Sequence, residues 1–322
     1  MSDLDTQLIE LLADGHFHSG EQLGEALGVS RMAVNKRIDK LTALGLDVFR
    51  VSGKGYRLAH QLDLLDHQLI EQELEDPNVP IFAKHITGST NDDLRGLMET
   101  QELAPGTAVI AEMQTAGRGR RGKTWVSPFG SNLYVSIYWP LRHGLNAAVG
   151  MSVVVGHAIA KALSPFIEGK VAVKWPNDIY IDNQKVIGIL VELEGQVSGE
   201  GSAIVGVGAN LKMDSNFQGI DQPFTSLNQH AIKPLSRNEW SVLIIQAIRA
   251  GLEAHDNVGL SEALEDWPRY DLYYDKPVKI LLGQHQYLGV GKGIDETGAF
   301  LVQQEDGLKR YFGGEISVRA QN

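Results

Sequence analysis

The run Gln114-Thr115-Ala116-Gly117-Arg118-Gly119-Arg120-Arg121-Gly122-Lys123-Thr124-Trp125 sets three arginines and a lysine among three glycines. Glycines let a backbone turn tightly and bring its N–H groups against a ligand. Guanidinium forks grip the paired oxygens of a phosphate or carboxylate. The run is too cationic for a dinucleotide fingerprint and is not read as a nucleotide-binding P-loop. A second run, Lys174-Trp175-Pro176-Asn177-Asp178, precedes Lys185-Val186-Ile187-Gly188-Ile189-Leu190-Val191-Glu192. Lys185 there opens an apolar strand, where an ammonium would hold a carboxylate or the bridging oxygen of an acyl phosphate; taken alone, a solvated surface lysine is the plainer reading. Two weaker runs complete the set. Gly206-Val207-Gly208-Ala209-Asn210 places small residues at the end of a strand, and Gly88-Ser89-Thr90-Asn91 combines a turn, two hydroxyls and an Asn able to cap a helix at 92–100.

The elements that would position these residues follow from hydrophobic periodicity. Strands are predicted at 107–112, 132–139, 171–175, 186–194 and 202–209, and helices at 90–100, 146–163 and 237–256. Several strands follow one another directly, which favours an α+β domain with a mixed sheet over a doubly wound parallel one. We expect it to span 81–270, after a linker and acidic helix at 63–80 and before a C-terminal domain at 271–322.

Residues 1–62 read as a separate head of three short helices. The first buries Leu8, Ile9, Leu11 and Leu12 and ends at Gly15. Ser19 caps the second, with Gln22 as its capping-box partner and Leu23, Ala26 and Leu27 inside. After Gly28, Ser30 caps the third, which buries Val34, Ile38 and Leu41. This is a helix-turn-helix, and the hairpin 47–58 with Lys54 at its tip makes a wing. Between residues 30 and 57, Arg31, Lys36, Arg37, Lys40, Arg50, Lys54 and Arg57 face only Asp39 and Asp47, in a chain whose net charge is −11. Ser30, Arg31, Lys36, Lys40 and Lys54 are therefore candidates for phosphate contacts and Asn35 for a base edge. A winged helix used only for protein contacts is the alternative.

Bulk properties narrow the setting. The chain has 322 residues and no cysteine, which excludes disulfides, thiolate chemistry and cysteine-ligated metals. No apolar run reaches the ~18 residues of a membrane helix, and the acidic start does not read as a secretory signal. A cytoplasmic protein with no membrane partner is expected.

Taken together, GRGRRG, KWPND, KVIGILVE and GVGAN resemble the bacterial biotin–protein ligases. With the winged helix in front, the chain is similar to the bifunctional branch, which is both biotin ligase and biotin operon repressor. The resemblance runs the whole length. It implies a central domain like the class II synthetases and, in the segments at 277–280, 286–289, 299–302 and 313–317, an SH3-like barrel. The implied chemistry joins biotin's carboxylate to the α-phosphate of magnesium-ATP, then passes biotin to a lysine of the biotin carboxyl carrier protein of acetyl-CoA carboxylase. Carried over by position, Ser89, Thr90, Asn91 and Gln114 would meet the ureido ring. Arg118, Gly119 and Arg120 would close over the ligand, and Lys185 would join those two arginines at the carboxylate or adenylate linkage. Lys174, Asn177, Asp178, Asn210 and Arg319 would lie near the nucleotide. The resemblance also implies operator DNA as a partner, a homodimer when ligand is bound, and no metal beyond the magnesium of ATP. Two departures stand out: Lys123 replaces an arginine usual in the family, and 212–225 diverges where a loop should cover adenine, with Phe224 as its candidate aromatic. Lipoate ligation, which shares the fold, and a ligand-sensing transcription factor without catalysis are the rival readings.

Overall fold

The computed structural model describes residues 3–76, 78–142, 144–195, 201–214, 217–313 and 316–321. The head comprises α1 (Asp3–Leu12), α2 (Gly20–Leu27), α3 (Arg31–Ala43) and a hairpin of β1 (Val48–Val51) and β2 (Gly55–Leu58). The capping box at Ser19–Gln22 is present, and the Ser30 hydroxyl accepts the Ala33 N–H at 3.2 Å. Leu8, Ile9, Leu12, Leu23, Leu27, Val34, Ile38 and Leu41 form its core. Ala26 is exposed, contrary to expectation. The inner stripe of α2 is instead Gly20, Leu23, Gly24 and Leu27, because α2 packs so closely on the following turn that a Cβ at Gly24 would meet the Val29 carbonyl at 2.7 Å.

After α4 (His67–Glu73), the chain builds β3 (Ile81–Thr87), α5 (Thr90–Thr100), β4 (Ala108–Gln114), β5 (Asn132–Leu141), α6 (Met151–Leu163), β6 (Val171–Lys174), β7 (Asp178–Ile181), β8 (Gln184–Gly195) and β9 (Gly201–Asn210). These seven strands form one sheet, ordered β3-β4-β5-β9-β8-β7-β6. It is mixed, as expected: β3 and β4 run parallel and the remaining neighbours antiparallel. Strand alternation serves two layers. Val109 joins Leu94 of α5 on one face, while Ala108 and Ile110 join the main core on the other. That second face is covered by α6, α8 (Arg237–Val258) and α9 (Ser261–Tyr270), after the short α7 (Leu227–His230).

Edges and a helix start departed from expectation. Strands β3 and β7 and helix α9 were not predicted: β3 is an edge strand with a weak apolar pattern, and β7 is only four residues long. The helix expected at 146–163 begins at Met151, because Gly150 sits at φ +81°, a left-handed conformation that breaks the turn coming from 145–148.

The C-terminal strands are β10 (Pro277–Leu282), β11 (His285–Ile294), β12 (Phe300–Gln304), β13 (Gly307–Tyr311) and β14 (Ile316–Ala320), ordered β13-β12-β11-β10-β14. Strand β13 was not anticipated, and Gly314 and Glu315 of the strand expected at 313–317 lie outside the described residues. Val278, Ile280, Phe300, Val302, Ile316 and Val318 belong to the same core as the central domain. Among the described residues no helix is long and apolar enough to cross a membrane.

One buried polar cluster ties the linker to the central sheet. Arg237 is fully buried and pairs with Glu112 of β4 at 2.7 Å. It also donates to the backbone oxygens of Asp63 and Asn132, and its N–H donates to the Asp63 carboxylate at 2.8 Å. The second Glu112 oxygen accepts the Leu65 N–H at 2.6 Å. Removing one partner would strand the other charge in the core. Arg237→Ala is therefore expected to cost about 3–5 kcal/mol of stability, measured as a lower denaturant midpoint with unchanged slope; a loss below ~1 kcal/mol would contradict this account.

Candidate functional site

The four motif runs converge on one cleft. Its floor is the face of β8 and β9 where Gly188 pairs with Gly208 and Leu190 with Gly206. These glycines are absent side chains put to use. A Cβ on Gly188 would meet the Trp125 ring at 2.7 Å; one on Gly208 would overlap the same ring, and one on Gly206 would overlap Asn91.

One end of the cleft is polar and uncharged. Ser89, Thr90 and Asn91 open α5 and are almost wholly buried. The Thr90 N–H donates to Gln114 Oε1 at 2.9 Å, and Gln114 Nε2 donates to the Ser127 hydroxyl at 3.3 Å. Ser136 of β5 donates to Asn91 Oδ1 and lies 2.7 Å from the Thr90 hydroxyl, while Asn91 Nδ2 donates to Glu192 at 2.9 Å. Asn91 therefore does not cap α5. Its amide is fixed at both ends within the cleft wall, because the sheet behind it offers better partners than the helix terminus does.

The middle is apolar, lined by Trp125, Ile189, Leu190 and Val207. Trp125 Nε1 is buried without a hydrogen-bond partner among the described residues, a cost that a bound acceptor would remove.

The far end is cationic. Lys185 lies 2.8 Å from Asp178 and 5.3 Å from the Trp125 ring centre. Arg120 donates to Asn177 Oδ1 at 2.8 Å and to the Gly313 carbonyl, and burial pushes its guanidinium below the usual range. Arg118 lies instead on the α5 side, where it turns to Asp92, both nitrogens at 2.7 Å. The Arg118 fork holds the Asp92 carboxyl below its ordinary range. Burial pulls Glu192 the other way, but the Asn91 hydrogen bond and the Arg118 charge outweigh it and Glu192 also ends low. The cleft thus suits a molecule with a neutral hydrogen-bonding head, an apolar body and an anionic end.

Of the residues singled out in the sequence, Ser89, Thr90, Asn91, Gln114, Arg118, Gly119, Arg120, Asn177, Asp178 and Lys185 line this cleft together. Three others do not. Lys174 bonds Tyr180 at 3.2 Å; burial lowers its ammonium, and the Lys185 and Arg319 charges add to that. Arg319 is exposed on β14, paired in register with Lys279. Asn210 is buried and donates to the Thr225 carbonyl at 3.1 Å. Phe224 is also buried, on a segment bridged to Lys185; residues 215 and 216 of that divergent stretch lie outside the described residues. Residues Gly117–Thr124 satisfy the letter of GxxxxGK[ST], but no helix follows: Arg120–Gly122 form a single 3-10 turn, so the P-loop cradle is not built. Sequence reasoning assigned no role to Trp125, Ser136 or Glu192, although the paired glycines of β8 and β9 were a signal that something large stands over them.

The head carries its own candidate surface. Arg31, Lys36 and Lys54 are exposed on α3 and the wing. Lys40 pairs with buried Asp5 at 2.7 Å, and Asn35 Oδ1 accepts from the Tyr56 hydroxyl at 3.1 Å. These two are therefore partly committed within the head.

A winged-helix head joined to a ligand cleft in a mixed sheet defines a two-part protein, and comparison with known proteins agrees. Residues 83–210 match the biotin/lipoate A/B protein ligase family, residues 5–57 an HTH domain, and residues 274–319 the biotin protein ligase C-terminal domain. The chain belongs to the biotin protein ligase family. It is 45% identical to the bifunctional ligase/repressor BirA of Salmonella typhimurium over 97% of both chains, and 43% identical to that of Escherichia coli over 98% of this chain and 97% of that one. A solved biotin protein ligase from Aquifex aeolicus, in complex with biotin and ATP, superposes with a TM-score of 0.63 at 28% identity, covering 75% of this chain and 99% of that one.

The glycine floor yields a direct test. Gly208→Ala must displace the Trp125 ring, an overpacking cost of about 1–3 kcal/mol. Biotin binding followed by tryptophan fluorescence is expected to weaken roughly tenfold or more, while Gly96→Ala, exposed on α5 with nothing within 4 Å of its Cβ, serves as the control.

Proposed function

We propose that the chain is a bifunctional biotin–protein ligase and repressor of transcription, with biotin and ATP as its substrates. The observation that carries this reading is the polarity gradient of the cleft, which runs from the uncharged Ser89-Thr90-Asn91-Gln114 end over a glycine floor to Lys185 and Arg120. Biotin has the same order: a neutral ureido ring, an aliphatic body and a carboxylate.

In the first step the carboxylate oxygen attacks the α-phosphorus, a P–O bond forms, and pyrophosphate leaves. In the second the uncharged amine of a carrier-protein lysine attacks the acyl carbon; an amide forms, AMP leaves with the bonding pair, and the proton lost by the nitrogen passes to solvent. No enzyme nucleophile is required. Lys185 and Arg120 offset charge gathering at phosphorus, and Asn177 holds Arg120 in place; this is positioning plus electrostatic stabilisation. Asn177 and Asp178 face the nucleotide, with Lys174, Asn210 and Arg319 further out. Magnesium arrives with ATP as part of that substrate. The acceptor is the carboxyl carrier protein of acetyl-CoA carboxylase.

We take residues 1–62 as the DNA-binding domain, 81–270 as the catalytic domain, resembling class II synthetases, and 271–322 as an SH3-like domain. Ligand closure favours a homodimer that sets two heads on two operator half-sites, in the cytoplasm. Ser30 caps the recognition helix, while Arg31, Lys36 and Lys54 meet phosphates.

Exchange of labelled pyrophosphate into ATP tests the enzyme. It should depend on biotin and not on lipoate, and Lys185→Ala should lower it about 100-fold or more; exchange without biotin, or none at all, would sink the assignment. Operator footprinting tests the other half. Occupancy should rise when biotin and ATP are both supplied, and Lys36→Ala should weaken it and flatten its salt dependence; equal occupancy with and without the substrates would refute the coupling.

A further inference from the structure

Arg118 belongs to the basic strap, yet its strongest contacts are to residues outside the cleft lining. Both terminal nitrogens are held by Asp92 at 2.7 Å, and one of them lies 3.4 Å from Glu192. Asp92 stands in the first turn of α5, one residue beyond the Ser89-Thr90-Asn91 wall, and Glu192 lies on β8 beside the cleft floor. Neither carboxylate lines the cleft itself.

The two carboxylates are also held in advance. Arg95, one turn along α5, reaches Asp92 at 2.6 Å, Glu192 at 3.1 Å and Glu194 at 2.6 Å. Without Arg118 this patch would hold three carboxylates against the single cation Arg95, in half-buried surroundings where like charges repel. Arg118 relieves that imbalance. A bidentate fork within a network is the geometry in which a surface ion pair retains real strength.

We infer that Asp92 and Glu192 are positioning residues for the ligase reaction, a clasp that takes the Arg118 side chain and holds the strap shut over the acyl adenylate between the two half-reactions. The inference rests on the proposed function. Arg118 therefore acts chiefly as a fastener on the α5 side of the strap. Arg120, through Asn177 and the Gly313 carbonyl, fastens the other side. With the clasp undone the anhydride escapes to solvent. There water attacks its acyl carbon, the bond to the phosphate oxygen breaks, and biotin and AMP result, with one proton passing to solvent.

The test uses the full-length protein with biotin and magnesium-ATP and no acceptor protein, separating rapid formation of pyrophosphate from slower appearance of adenylate or AMP in free solution. Asp92→Asn should leave first-turnover pyrophosphate formation within about twofold of the parent while release of adenylate accelerates about tenfold or more. Asp92→Glu should restore slow release, and Asp92→Asn combined with Arg118→Gln should release no faster than Arg118→Gln alone. Unchanged release in Asp92→Asn, or additive effects in the double variant, would overturn the clasp, as would a fall in pyrophosphate formation with release untouched. Absence of pyrophosphate formation in the parent would instead remove the proposed function itself.

Discussion

A ring or an amide can lie against the backbone of a sheet only where the strands beneath it carry no Cβ, and this constraint shapes the site more than any charge does. Gly188, Gly206 and Gly208 meet it on two adjacent strands whose antiparallel register sets Gly188 directly opposite Gly208. Glycine inside a strand gives up packing and conformational entropy. Here the vacated layer is taken by the Trp125 ring and the Asn91 amide, each brought too close for a Cβ beneath it. The rest of the site follows from that closeness. Trp125 extends the loop that carries Arg118 and Arg120, and Asn91 opens the helix that carries Asp92 and Arg95.

Charge in the cleft is arranged by compensation. Two of the cations lining the cleft have carboxylate partners, Asp178 for Lys185 and Asp92 for Arg118, while Arg120 is held by the neutral oxygens of Asn177 and Gly313. Paired cations avoid the penalty of an isolated buried charge, and they can exchange a carboxylate of the protein for one of the substrate without leaving a charge bare. Because the carboxyls of Asp92 and Glu192 sit below their ordinary range, this pairing survives mild acidification. It contributes above the normal carboxylate range and is lost only as pH falls through the lowered values.

How much of this was legible in the sequence depended on whether a residue acts locally. Ser19, Ser30 and Gly28 announce caps and turns through their immediate neighbours, so the head was readable almost element by element; Ala26 failed because the close approach of the Val29 backbone is a tertiary fact. Central strands such as β5 and β9 carry long apolar runs and were found, whereas edge strand β3 and four-residue β7 depend on neighbours that periodicity does not see. The motif residues lining the cleft stood out by type, but their roles came only with the family resemblance that the four runs carry together. Asn91 was left between a helix cap and a site residue, and the cap is not made because its partners, Ser136 and Glu192, lie 45 and 101 positions away. Trp125 was visible in the motif but mute, since its role depends on two glycines on other strands.

The buried arginine beneath the sheet has a consequence for the head. Leu62 donates its N–H to the Ala13 carbonyl at 2.9 Å and so travels with α1. Asp63, its neighbour, is gripped through its backbone oxygen and its carboxylate by Arg237, with Lys212 at 2.6 Å on the same carboxylate. The covalent passage between the two bodies therefore narrows to the torsions around a single peptide link. The head also touches the central domain directly, with Glu10 3.7 Å from His85 of β3 and Phe129 packed on the head's core, so its orientation is held from more than one side.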